Sequence, residues 1–391
     1  MNHTGQPISL EVAVVPFAHL LNALEDINDP RRPQGKRYKL SHLLLYCVFG
    51  ILSGATSYRS IRTFIRERKD ILEELYGVGL RKVPAVNTIR NVIHALTATH
   101  LEEIFRRHAH ALLTSPSVVD TARVHRPPAI ALDGKTLRHS FDHLNDQKAA
   151  QVLTAFACDY AIILANAEVS EKTNEIPVAQ KLIEELGLRG VIFTADAMHC
   201  QKKTFQAASD TGNFLITQVK GNQPELHAAV QTLCAARSPT SQCKTVDPIR
   251  HGRQEFRTVE VFDMRGKLGD DWDNLILTVA RVNRLTWHKD TKSGKWLPTE
   301  ELSYYASQIM LQAPDMADVI RGHWGTENRN HYVRDVTLLE DDSRIRIKPG
   351  HFSRLRSMAL NILRANDVTN VRQAVYANAL NVMNMLAYRV M

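Results

Sequence analysis

Residues 129–135 read AIALDGK, an apolar run that passes directly into Asp133 and Gly134. A short unbroken apolar run ending at a turn signal reads as a strand buried on both faces. The pattern returns at 191–196, VIFTAD, again β-rich and again closed by an aspartate, Asp196. Between the two, QVLTAFACD (151–159) and AIILANAEV (161–169) read as two strands of a hairpin, and VAQKLIEEL (178–186) as a helix stopped by Gly187. After Asp196 come a short helix at 202–209, a strand FLITQVK at 214–220 and a helix at 224–236. The order β-β-β-α-β-α-β-α predicts an α/β fold, a mixed sheet flanked by helices.

On the C-terminal side this rhythm breaks. RQEFRTVEVFD, LILTVARVNRLTWHK and ELSYYASQIM alternate like antiparallel strands, with Gly266, Gly269 and Gly294 at turns, so residues 237–314 read as a β-rich insertion. RGHWGTENRNHYVRD (321–335) reads as helix; four-residue spacing puts His323, Glu327 and His331 on one face, with Arg334 a turn later. Two further periodic helices, 352–366 and 371–390, are expected to pack on the sheet or close the core.

On the N-terminal side, VVPFAHLLNALEDI reads as an amphipathic helix within residues 1–27, and DPRRPQGKRYK (29–39) as a basic linker. Helical segments follow at 40–55, 58–76 and 86–108, the last with Pro84 and Asn87-Thr88 at its start. NTIRNVIHAL is a candidate second helix of a helix-turn-helix. Ser, Thr and Pro gather at 111–128 and mark a boundary. The predicted domains are therefore an all-helical N-terminal DNA-binding domain at 1–120 and a catalytic domain at 121–391, with C-terminal helices at 315–391.

The 391 residues carry 44% hydrophobic and 23% charged side chains, an ordinary soluble balance, with a net charge of +8. Residues 28–110 hold 15 Lys and Arg against 7 Asp and Glu, an excess equal to that of the whole chain. A basic helical domain favours a polyanion, nucleic acid first. The five cysteines form no CxxC pair, which fits a reducing compartment better than a disulfide framework. The apolar run at 40–55 is short for a membrane span and is broken by Ser41, His42 and Ser53. No GxxxxGK[ST] loop occurs, so no nucleotide triphosphate is implied.

The strand order resembles that of ribonuclease-H-like domains, which carry one carboxylate on the first strand and another at the end of the fourth. Asp133 and Asp196 occupy those places, and Glu327 supplies a third from the late helix. Taken singly, Asp133 can open a turn, Asp196 can cap a helix and Glu327 can belong to a solvated helix face. Together they make a hard, all-oxygen ligand set suited to Mg²⁺ or Mn²⁺. Two such ions about 4 Å apart can activate a water or a 3′-hydroxyl and stabilise the leaving oxygen of a phosphodiester. Asp133 would bridge both ions, with Asp196 and Glu327 each completing one site. Glu340, Asp341 and Asp342 offer a fallback third ligand, and His323-Glu327-His331 a helical zinc site that lacks a fourth ligand.

ALDGKTLRHS around Asp133, TADAMHCQKKT around Asp196, ITQVKGNQPEL, and HWGTENRNHYVRDVTLLEDDSRIR around Glu327 stand in the order and spacing of a known family. With DPRRPQGKRYKLSHLL near the start, the chain resembles the DDE transposases of the ISAs type, which include the H-repeat-associated proteins of bacteria. The resemblance implies an RNase H-like core and Mg²⁺-dependent cleavage and strand transfer by Asp133, Asp196 and Glu327. It implies double-stranded DNA as partner (transposon ends and target), assembly as a homodimer or higher, and a bacterial cytoplasmic, nucleoid-associated location. A nuclease or resolvase without strand transfer, and a non-catalytic DNA-binding descendant, are the rivals. The wider cut-and-paste signature Y-x2-R-x3-E-x6-K places Ile320, His323 and Arg334 beside Glu327. His323 and Arg334 are then expected to face DNA phosphates, and Trp324 either to stack on an unpaired base or to pack on the sheet. Lys135, His199 and Lys220 are expected near the site as phosphate ligands or as surface cations. His331 has no assigned role.

Overall fold

The computed structural model describes residues 16–114, 125–141, 148–170 and 174–389. The chain divides into two compact units, one of residues 1–115 and 358–391, the other of residues 116–357.

The first unit is helical: α1 (Ala18–Glu25), α2 (Leu40–Leu52), α3 (Tyr58–Glu67), α4 (Lys69–Tyr76), α5 (Val86–Ala95) and α6 (Ala98–Leu113). The apolar run makes α2 its core. Every residue of α2 is buried, and α1, α3 and α5 pack against it, as a helix apolar on all sides requires. Among the described residues no helix is long and apolar enough to cross a membrane. Two predicted helices are each broken in two. Arg68 leaves helical geometry at φ −115° and parts α3 from α4. Leu96 is extended, and the Thr97 hydroxyl accepts the His100 amide to start α6. Ala85 holds the cap position of α5 with no side-chain cap, so Asn87 and Thr88 do not serve there. Residues 115–124 of the predicted boundary lie outside the described residues.

The second unit is built on one nine-stranded sheet ordered β3-β2-β1-β4-β5-β9-β8-β7-β6. Its first half is β1 (Ala129–Thr136), β2 (Gln151–Ala157), β3 (Ile162–Val169), β4 (Ile192–Ala195) and β5 (Phe214–Val219). β1, β2 and β3 are antiparallel neighbours, whereas β1, β4 and β5 run parallel. That is the RNase H-like arrangement expected from the element order. Ala129–Leu132 and all of β4 are buried, as central parallel strands demand. Helices α7 (Glu175–Glu185), α8 (Lys202–Asp210) and α9 (Pro224–Ala236) supply the crossovers.

The β-rich stretch does not stand apart from this sheet. β6 (Ser241–Val246), β7 (Arg253–Asp263), β8 (Thr278–Lys289) and β9 (Trp296–Ser307) extend it, because β9 pairs antiparallel with β5 from Ile216↔Ser307 to Val219↔Tyr304. Helix α10 (Ala313–Thr326) then crosses back over β1, β4, β6 and β7. Beyond it lie π-helical turns at Glu327–His331 and Val333–Thr337, and α11 (Pro349–Ala365).

The last helices, α12 (Val371–Leu380) and α13 (Val382–Leu386), correct an expectation. Residues from 358 onward belong to the helical unit. Val371, Val375, Val382 and Met385 are buried there, and the Asn378 amide donates to the Leu52 carbonyl at 2.9 Å.

Candidate active site

The parallel pairing of β1 and β4 ends at Leu132↔Ala195, and the next residue on each strand is an aspartate. Asp133 and Asp196 therefore emerge side by side at the carboxyl ends of adjacent central strands, where open α/β sheets place their sites. Glu327 arrives from the end of α10, at the first π-helical turn. π-turns inside helices recur at functional sites. Oxygens of Asp133 and Glu327 and a ring nitrogen of His331 lie within 4.8 Å of one another.

Electrostatics separate the acids. Burial pushes the Asp133 carboxyl up to about 6; His323 opposes the rise, and Asp196, Glu327 and Glu175 add to it. Asp196 is held below the ordinary range, chiefly by a hydrogen bond from His323. The His323 Nε2 lies 3.7 Å from Asp196, and its Nδ1 is 2.9 Å from the Thr194 hydroxyl. His331 Nδ1 lies 3.6 Å from Asp133 and 3.7 Å from Glu327. Burial, aided by Arg334 and Lys135, pushes this ring down to about 3, so it is neutral at working pH. The two histidines thus divide between opposite ends of the acidic cluster and do not converge on one zinc site.

Three side chains expected to meet phosphate are committed inside the protein. Arg334 is fully buried and bonded to Glu340 and Ser353. Lys135 is buried between Asp335 and Glu340. His199 is fully buried, with Nε2 3.0 Å from Glu175. Moving Arg334 or Lys135 to a DNA backbone would strand the buried Glu340 carboxylate. His323 is engaged by Thr194 and Asp196 within the site. Lys220 is exposed, and its charge helps lower Asp196. Trp324 is 47% exposed, donates to the Tyr305 hydroxyl at 3.2 Å and has the Arg284 guanidinium 5.3 Å over its ring. It borders a cavity of about 900 Å³ between α10 and β6–β9, whose lining runs from Arg253, Arg257 and Arg284 to Glu327.

Glu340 is no substitute ligand. It is completely buried, and Arg334, Lys135 and Arg356 hold it well below the ordinary carboxylate range against the cost of burial. Sequence reasoning missed Glu175. It opens α7 behind an Asn174 cap, a pattern that signals only a helix start. Its carboxylate occupies the space that a Cβ at Gly134 would need, which gives Asp133-Gly134 a steric reason for glycine.

Residues 125–363 match the family described as Transposase DDE domain, and residues 21–109 match the DDE_Tnp_1-associated family. The chain belongs to the DDE transposase family. It is 31% identical to the protein YbfL of Escherichia coli K12, over 89% of this chain and 90% of that one. The H repeat-associated protein YhhI of the same strain is 30% identical over the same shares. A solved piggyBac transposase synaptic complex with hairpin DNA aligns over 94% of this chain and 83% of its own at 11% identity, with a TM-score of 0.36, too slight a likeness to add to the argument.

Proposed function

We propose that the chain is a DNA transposase that cuts phosphodiesters at the ends of an insertion sequence and joins them to target DNA. The observation that carries this reading is the convergence of Asp133, Asp196 and Glu327 from two strand ends and a helix end, with Asp133 raised to about 6. Carboxylates that raise a neighbour's pKa favour a bound cation, and their hard oxygens suit Mg²⁺ or Mn²⁺. Asp133, which feels both other acids, would be the ligand common to two ions, with Asp196 and Glu327 each completing one of two sites.

Bound there, a pair of divalent ions would supply charge neutralisation for both the attacking and the leaving oxygen. The chain's own residues do the rest. Thr194 and His323 fix the Asp196 carboxylate and keep it ionised. Exposed Lys220 favours an incoming phosphate beside it, and Trp324 offers a ring face to an unpaired base. The attacking hydroxyl, first of water and then of the freed 3′ end, loses its proton to solvent as the 3′ oxygen of the cut bond leaves. The basic excess of residues 28–110 suits that helical unit to double-stranded DNA. Pairing two ends needs at least two active sites, so a homodimer or larger assembly on DNA follows, at work on the bacterial chromosome in the cytoplasm.

Asp133→Ala tests the reading on an oligonucleotide carrying a transposon end. Mg²⁺-dependent cleavage and joining should both disappear while end binding persists. Joining at the wild-type rate would sink the assignment. Cleavage by the wild type without joining would leave a nuclease.

A further inference from the structure

His331 is a polar group beside the acidic cluster that the reaction above does not use. Its ring is 5% exposed, and no hydrogen bond to either nitrogen is made among the described residues. Nε2 is buried without a partner, and Nδ1 points between Asp133 and Glu327, 3.6 and 3.7 Å away. A buried imidazole aimed at two carboxylates, yet too distant to hydrogen-bond them, is costly unless something fills the gap. Those separations suit ligands of one ion. With metal–ligand bonds of about 2.1 Å, two donors on the same ion stand roughly 3–4 Å apart.

We propose that His331 is a metal ligand: its Nδ1 completes, with Asp133 and Glu327, a mixed nitrogen–oxygen site for one of the two divalent ions. The inference rests on the reading of this cluster as a metal centre and makes its two positions chemically unequal. At the Asp196 end the nearby imidazole is already occupied, because His323 Nδ1 pairs with Thr194 and the ring holds Asp196. That ion meets protein oxygens. At the Glu327 end His331 Nδ1 has no hydrogen-bond partner among the described residues and points at both carboxylates. Imidazole nitrogen raises affinity along the series from Mn²⁺ to Zn²⁺ and does little for Mg²⁺, which prefers oxygen. The Glu327 position therefore selects Mn²⁺ over Mg²⁺, and the Asp196 position discriminates less. A π-turn at Glu327–His331 presents both donors from one short segment, so a shift of that segment changes the ligand set of only one ion.

Pulsed electron paramagnetic resonance of full-length protein loaded with substoichiometric Mn²⁺ tests this, because a directly bound imidazole imprints nitrogen modulation on the Mn²⁺ echo. Wild type and His323→Ala should show it. His331→Ala should lose it and bind Mn²⁺ about tenfold or more weakly, with a smaller change for Mg²⁺. His331→Gln, checked by its melting curve in chelator, guards against a misfolded variant and should lose the modulation too. Modulation that survives in both His331 variants, or that vanishes in His323→Ala, overturns the assignment. Mn²⁺ bound through Asp133 without nitrogen modulation in wild type overturns the His331 role and leaves the metal centre standing; no Mn²⁺ binding at all removes both.

Discussion

Two clusters of charge flank the π-helical segment, and they are built on opposite terms. In one, burial together with Asp196 and Glu327 drives Asp133 up to about 6. In the other, Glu340 is completely buried, yet Arg334, Lys135 and Arg356 hold it ionised and well below the usual carboxylate range. The second cluster is neutralised by the chain itself. In the first, His323, His199 and Lys220 oppose the acids, and it is the one proposed above to take cations from outside. Carboxylates kept for chemistry are thus told from carboxylates kept for structure by who supplies the counter-charge, not by how acidic the local sequence is.

Variants on each side should fail in different ways. Glu327→Gln removes a ligand from an exposed position, and cleavage should fall by about a thousandfold, as losing several kcal/mol of charge stabilisation implies, while the melting temperature stays within error. Glu340→Ala strands Arg334, Lys135 and Arg356 in the interior and should cost about 3–5 kcal/mol in a denaturant titration. If Glu340→Ala melted like wild type and lost only activity, the distinction between the clusters would collapse.

The pH dependence separates them further, in metal-free protein. Asp133 has a folded pKa raised above its unfolded value, so it favours the fold below the ordinary carboxylate range and opposes it as pH rises through about 6. Asp133→Asn in chelator should therefore raise stability at pH 7.5, by about 2–3 kcal/mol at most, and change little at pH 4. Glu340 has the opposite sign. Its contribution is present above the ordinary carboxylate pKa and is lost on acidification, so the Glu340→Ala deficit should shrink toward low pH. Equal effects of pH on both variants would contradict the account.

Much of the sheet was legible because its strands are short apolar runs closed by Asp or Gly, and AIALDGK and VIFTAD place both aspartates where the strands end. The third acid was legible from the helix that bears it. What pattern cannot carry is partnership. Arg334, Lys135 and His199 look like surface cations in a string of letters, and only folding brings Glu340 and Glu175 against them. The continuation of the sheet into β6–β9 was hidden for a similar reason. Alternation marks a strand as antiparallel but does not say which earlier strand it joins, here β5. The placement of α12 with the N-terminal helices turns on Asn378 and Leu52, 326 residues apart in sequence.

Crystals of the full chain soaked in Mn²⁺ and measured at an energy where manganese scatters anomalously test the central claim most directly. The account predicts peaks between Asp133 and Asp196 and between Asp133 and Glu327, the latter against His331, and none beside Glu340. Crystals that bind Mn²⁺ elsewhere and leave the Asp133 cluster bare would contradict it.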